Sequence, residues 1–232
     1  MIEIISVHYK TPDLIYRQYR SVRALYPDMP YRIIDGSDDG VVYFDDLERE
    51  DKNFTVERFG YNIHHGPGMD YAIKSSKYDF LLLLDSDVTM QKPIIEVMLE
   101  HYAGYVVGCK RMVNTLGQQS WAMPWLAKLF PNSYKYSYIQ PLCMLINKQA
   151  YGLFKPFIKH GSPCIDAMID VYRQKKTHLL AEIDIDDYIT TDWSGTAKRW
   201  GMNMPKWSYL VPRHLCRGRH LPRFRHQFGR LQ

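Results

Sequence analysis

The chain has 232 residues, 46% of them hydrophobic, which suits one globular unit or two closely fused lobes. Its apolar run Phe80 to Leu84 is far short of the roughly 20 residues a membrane helix needs, and the opening MIEIISVHYK has no basic leader, so neither a span nor a secretory signal is expected. The formal net charge is +5, but residues 193–232 carry nine Lys or Arg and no Asp or Glu, leaving 21 basic against 25 acidic residues before them. Such a basic end on a mildly acidic body suits a polyanionic partner such as nucleic acid, anionic lipid head groups or a charged glycan; a merely solubilising tail is the plain alternative. Cys109, Cys143, Cys164 and Cys216 include no Cys-x-x-Cys pair. That argues against structural zinc and for a reduced, cytoplasmic setting, with peripheral attachment to a membrane or nucleic acid left open.

In chain order, Ile2 to Tyr9 is a β-branched run ending in Thr11-Pro12-Asp13, a helix-entry signal. Leu14 to Tyr26 reads as a helix that stops before Pro27 and Pro30. Tyr31 to Ile34 is a second strand, broken at Asp35-Gly36-Ser37-Asp38-Asp39-Gly40, and Phe54 to Phe59 a third. Gly66-Pro67-Gly68 marks a turn before a helix from about Met69 to Ser76. Tyr78 to Leu84 closes on FLLLL, without alternation, as expected of a strand buried on both faces. Pro93 to Tyr102 reads as a helix and Tyr105 to Cys109 as a strand. Asn114 to Tyr138 reads as irregular, and Ser162-Pro163 as the opening of a helix to about Gln174. Alternating strands and helices predict an α/β fold with a mostly parallel, doubly wound sheet, whose ligands bind outside the carboxyl ends of the strands.

Asp85 and Asp87 follow the buried strand directly. If the backbone stays extended there, period-2 alternation puts both carboxylates on one side, about 6.6 Å apart. Such a pair suits a hard divalent cation or a ribose hydroxyl, and neutralising a diphosphate leaving group is the matching chemistry. A solvated turn that ends the strand is the structural alternative.

Four segments in this order, SVHYKT, IIDGSDDG, the Asn62-to-Asp70 loop and helix, and FLLLLDSDV, resemble the family-2-like glycosyltransferases of the GT-A fold. The resemblance covers roughly residues 2 to 90. It implies a donor half over 1–110, an acceptor and catalytic half over 111–192, and the basic segment 193–232. It also implies inverting, metal-dependent transfer of a sugar from a nucleotide-diphosphate donor, most commonly a UDP-sugar, with Mn2+ or Mg2+. Val7, Tyr9, Thr11 and Asp35 match the positions that hold the nucleotide. Ile34 replaces the first acid of the usual pair, and Asp39 reads better as a turn acid before Gly40. Asp70 matches a donor-facing position. The motif match implies that Asp87 binds the metal while Asp85, beside Ser86, contacts ribose or the metal's water shell. The pair His64-His65 reads as loop structure or a substrate hydrogen bond rather than a metal site.

The family's acceptor-side acid matches Asp166, with Asp170 as fallback, although the usual Glu-Asp pair is missing. An acid in a first helical turn is also favoured by the helix dipole alone. The family's late metal-binding histidine is absent, leaving Asp192 or His214 as the third ligand. Aromatic residues between Trp121 and Tyr138 would shape the acceptor side. Two rivals remain: a GT-A protein that binds nucleotide-sugar without catalysis, and a nucleic-acid-binding protein with an incidental Asp-x-Asp.

Overall fold

A computed structural model of the chain describes residues 1–117, 133–159 and 162–192. Its main sheet has seven strands in the order β3-β2-β1-β4-β7-β6-β8. They are β1 (Ile2–His8), β2 (Tyr31–Asp35), β3 (Phe54–Arg58), β4 (Phe80–Leu84), β6 (Val106–Val113), β7 (Tyr136–Asn147) and β8 (Leu180–Glu182). A two-stranded ribbon pairs β5 (Val88–Met90) with β9 (Ile189–Thr191). Within the main sheet only β7 runs against the rest, pairing antiparallel with β4 and with β6. The expected mostly parallel α/β sheet is the observed one.

β4 explains the layering. Leu81 and Leu83 enter one apolar cluster, Leu82 and Leu84 the other, and each of the four is at most 3% exposed. The first cluster holds α3 (His65–Ser75), α5 (Lys148–Tyr151) and α6 (Ile165–Arg173) against the sheet. The second holds α1 (Pro12–Leu25), α2 (Asp45–Glu50) and α4 (Ile95–Glu100) against the opposite face. A strand covered on both faces needs no polar alternation, which is why FLLLL is uninterrupted.

Several boundaries moved for local reasons. α1 begins at Pro12, ahead of the expected Leu14, because proline's missing N–H costs nothing in a first turn. α3 begins at His65, ahead of the expected Met69, and so absorbs the supposed Gly-Pro-Gly turn. Pro67 sits in its first turn, while Gly66 and Gly68 allow close packing. A Cβ on Gly66 would collide with the backbone of Lys159, and one on Gly68 would stand 3.0 Å from Val7 Cγ1. The second strand reaches Asp35, and β6 runs on to Val113 past a register shift between Gly108 and Lys110. The short elements α2, β5, α5, β8 and β9 were not expected from the sequence.

Because the obstacle at residue 66 is backbone, Gly66→Ala should destabilise the fold by about 1–3 kcal/mol, the usual cost of overpacking. Urea unfolding would measure it, and an unchanged midpoint would contradict the close approach of α3 to the 158–159 segment.

Candidate active site at the carboxyl edge of the sheet

From β1 the chain winds outward to β2 on one side, while β4 lies on the other. The carboxyl ends of β1, β2 and β4 therefore meet at a topological switch point, where doubly wound sheets bind ligands. Their last residues, and the loops that follow, carry most of the polar groups expected from the sequence.

At the end of β1, His8 is fully buried. Its Nδ1 lies 2.9 Å from Asp35 Oδ1 at the end of β2, and its Nε2 accepts the Thr11 N–H at 2.9 Å. With Nε2 accepting, Nδ1 must carry the proton and donate to Asp35, so one neutral tautomer is locked in place. Asp35 Oδ1 also accepts the Ser37 N–H at 2.9 Å. Burial raises the affinity of this carboxyl for its proton, but the His8 and Ser37 hydrogen bonds outweigh burial and hold its pKa below the ordinary value. Asp35 is only 3% exposed. What faces the next loop is a rim: Tyr9 Oη donates to Asp38 at 3.2 Å, and Lys10 forms an ion pair with the same carboxylate.

Val7 packs its side chain against α3 at Gly68, and Thr11 is buried under the start of α1, where its Oγ1 makes no hydrogen bond. Asp39 accepts the Val41 N–H at 3.2 Å and the Tyr43 hydroxyl at 2.7 Å, the geometry of a turn acid. His8 was not singled out in the sequence; its only signal was a strand-end position just before Thr11-Pro12.

After β4 the backbone does not stay extended, so the period-2 argument for Asp85 and Asp87 fails. Val88 N donates to Asp85 O at 3.0 Å, closing a tight turn over Ser86 and Asp87. Both acids nonetheless act on one another. Burial first, and then the charges of Asp85 and Asp192, push the Asp87 carboxyl up to about 7, with Arg17 opposing. The β5–β9 ribbon brings Asp192 alongside: its N–H donates to Asp87 O at 3.1 Å, and its carboxylate lies 3.7 Å from Arg17. From the first turn of α3, His65 Nε2 stands 3.2 Å from Asp85 Oδ1. Burial lowers the His65 pKa, but the charges of Asp85 and Asp87 more than reverse this and raise it. Of the adjacent histidines, His65 thus faces Asp85, a contact that the sequence did not single out.

These residues fit a hard divalent cation. Asp85 Oδ1 is buried and faces the His65 ring nitrogen at 3.2 Å without a well-aligned hydrogen bond, and Asp87 is a carboxylate whose charged form its surroundings disfavour. Among the described residues no group of three or more His, Cys, Asp or Glu encloses a metal ion. Magnesium- and manganese-type ions need only one or two carboxylates when phosphate oxygens and water complete the shell.

The remaining expected residues are dispersed. Asp70 is tied between α3 and α5: Oδ1 accepts the Tyr151 hydroxyl at 2.6 Å and Oδ2 pairs with Lys74 at 2.8 Å. Asp166 lies in the first turn of α6, its Oδ1 2.9 Å from Lys159 Nζ. The preceding thiol, Cys164, is pushed up first by burial and then by the charge of Asp85, so the start of α6 lies within electrostatic reach of the β4 turn. Asp170 accepts the Lys155 N–H at 3.2 Å. His214, the aromatic stretch over 121–132 and the basic segment 193–232 lie outside the described residues.

The pKa values set a pH dependence. In the metal-free protein, Asp87 keeps its proton up to about pH 7, whereas in the unfolded chain it loses it near the ordinary aspartate value of 3.8. Stability contributed by this proton is full below the unfolded value and is lost as pH rises through 7. The raised His65 acts in the same direction. The metal-free protein should therefore lose thermal stability between about pH 4 and pH 7, and the stabilisation added by Mn2+ should grow over the same range. Asp87→Asn should flatten both trends; a variant that keeps them would contradict this account.

Comparison with known proteins agrees with this fold. A family model described as "Glycosyl transferase family 2" matches residues 3–161. Among solved structures, TarS from S. aureus aligns with TM-score 0.55 and 13% identity over 83% of this chain and 60% of its own. Glucosyl-3-phosphoglycerate synthase from Mycobacterium tuberculosis in complex with UDP aligns with TM-score 0.54 and 16% identity, over 78% of this chain and 69% of its own. The mannosyltransferase PcManGT from Pyrobaculum calidifontis, in complex with GDP-Man and Mn2+, gives TM-score 0.51 and 9% identity, over 78% of this chain and 56% of its own. The chain thus spans about 60% of the TarS structure's length. No curated protein matches the sequence. Among the described residues no helix is long and apolar enough to cross a membrane. With the family model covering more than half of its length and a GT-A sheet to match, the chain belongs to glycosyl transferase family 2.

Proposed function

We propose that the chain is an inverting glycosyltransferase that moves a sugar from a nucleotide-diphosphate donor, a UDP-sugar, to an acceptor hydroxyl with the help of Mn2+ or Mg2+. The observation that carries this reading is the Asp85–Val88 turn. It sets two mutually repelling carboxylates, with Asp192 beside them, at the switch point of a family 2 sheet. Two fold relatives solved with UDP, or with GDP-Man and Mn2+, support the ligand classes.

Asp35, held by His8 and Ser37, would contact the nucleotide base or ribose, with Tyr9 and Lys10 at the rim. Asp87 would hold the metal, with Asp85 contacting it or the ribose, Asp192 alongside, and phosphate oxygens and water completing the shell. The ion would supply charge neutralisation for the departing diphosphate. Asp166, oriented by Lys159, would accept the proton of the acceptor hydroxyl. The nine basic residues of 193–232 favour a polyanionic acceptor or surface, either an anionic lipid-linked or surface glycan or DNA.

A nucleotide-sugar panel screened by thermal shift with Mn2+ identifies the donor, because a bound ligand stabilises by mass action. Asp87→Ala should abolish donor turnover. Asp166→Asn should lower kcat by about 10²- to 10⁴-fold while leaving donor binding intact, as for loss of a general base. Donor binding without any turnover in the wild type would favour a non-catalytic nucleotide-sugar-binding protein instead. For the acceptor, gel shifts with duplex DNA over a salt series, set against co-sedimentation with anionic vesicles, separate the two polyanions. Absence of both interactions at low salt would refute the polyanion reading.

A further inference from the structure

α1 buries Leu14, Ile15 and Val22, and within that apolar stripe it also buries a carboxamide, Gln18, at 0% exposure. Gln18 Oε1 accepts two hydroxyls, Ser6 Oγ on β1 at 2.7 Å and Tyr31 Oη on β2 at 2.5 Å. Its Nε2 donates to the carbonyl oxygen of Asp85 at 2.7 Å. The amide has one tenable orientation: flipped, it would set an acceptor against the Asp85 carbonyl, which can only accept.

The Asp85 carbonyl is also the one that closes the tight turn with Val88 N–H at 3.0 Å, while Asp85 N–H donates to Leu142 O at 3.0 Å. One turn along α1, Ser21 Oγ donates to Gln18 O at 2.7 Å and accepts the Met90 N–H at 3.0 Å. The same helix face thus grips the acidic turn at its first residue and just beyond its end.

We propose that Gln18 is a positioning residue for the metal-binding turn: by fixing the Asp85 carbonyl it sets the direction in which the Asp85 and Asp87 carboxylates are presented. This rests on the donor-site reading of that turn. The competing account is that Gln18 merely satisfies Ser6 and Tyr31 in the core. The two accounts differ at Tyr31→Phe, which removes a core hydrogen bond of Gln18 but leaves its bond to Asp85 in place.

Mn2+ titrated calorimetrically into the metal-free full chain, with melting temperatures measured alongside, separates them. Gln18→Met should weaken Mn2+ binding about tenfold or more, as loss of an outer-shell support does, with Tyr31→Phe staying within about twofold of wild type despite lower stability. Wild-type affinity in Gln18→Met, or an equal loss in Tyr31→Phe, would overturn the proposal. Should Gln18→Met fail to fold, Gln18→Glu decides at pH 8. It keeps an acceptor for Ser6 and Tyr31 but lacks the amide donor, and unchanged affinity would overturn the proposal. If wild type binds Mn2+ no better than Asp87→Asn, the metal reading of the turn itself fails, whatever Gln18 does.

Discussion

The two-sided burial of β4 is the constraint on which the remaining architecture depends. Its leucines alternate between two apolar clusters, so helices must cover both faces of the sheet, and neither layer is dispensable. At roughly 1.5–3 kcal/mol for each fully buried leucine side chain, four such residues supply stabilisation comparable to the net stability of a small domain. The same constraint places the functional turn. A strand without a polar face cannot carry chemistry along its length, so the polar groups gather where it ends, at Asp85.

Around that end, the electrostatics are arranged against the unliganded site. Asp85, Asp87 and Asp192 crowd together, and the opposing charges of His65 and Arg17 lie at their margins. Like charges held close, partly out of water, keep one carboxyl protonated near neutral pH. A divalent ion would relieve this repulsion directly. By contrast, the Asp35 end of the edge is settled without any ligand, because His8 and Ser37 already satisfy its carboxylate. One side of this edge holds like charges close together, and the other is preorganised through hydrogen bonds.

α3 links the carboxyl edge of the sheet to the start of α6. Its glycines let it pass close to Val7 on β1 and to the 158–159 segment, and its first turn carries His65 to Asp85. Lys159 in that segment holds Asp166 at the start of α6. Asp166 is thereby joined to the acidic turn through the His65–Asp85 contact, the close approach of Gly66 to Lys159 and the Lys159–Asp166 ion pair. Asp70, by comparison, is occupied with Tyr151 and Lys74.

Much of this was legible in the sequence, and the reasons are local. An uninterrupted FLLLL requires burial on both faces, proline and glycine punctuate the first ninety residues, and acids directly after a buried strand fall at the carboxyl edge of the sheet. Those facts determined the α/β class, the parallel sheet and the neighbourhood of Asp35, Asp85 and Asp87. Only the tertiary structure decided that the acidic motif is a turn rather than an extended pair, that His8 is a locked neutral clamp, that His65 meets Asp85, and that Gln18 holds the Asp85 carbonyl. Each of these depends on contacts between residues far apart in the chain, such as Gln18 with Asp85 and Tyr31. Periodicity reports which face of an element is buried; it carries no information about which partner awaits a polar side chain there.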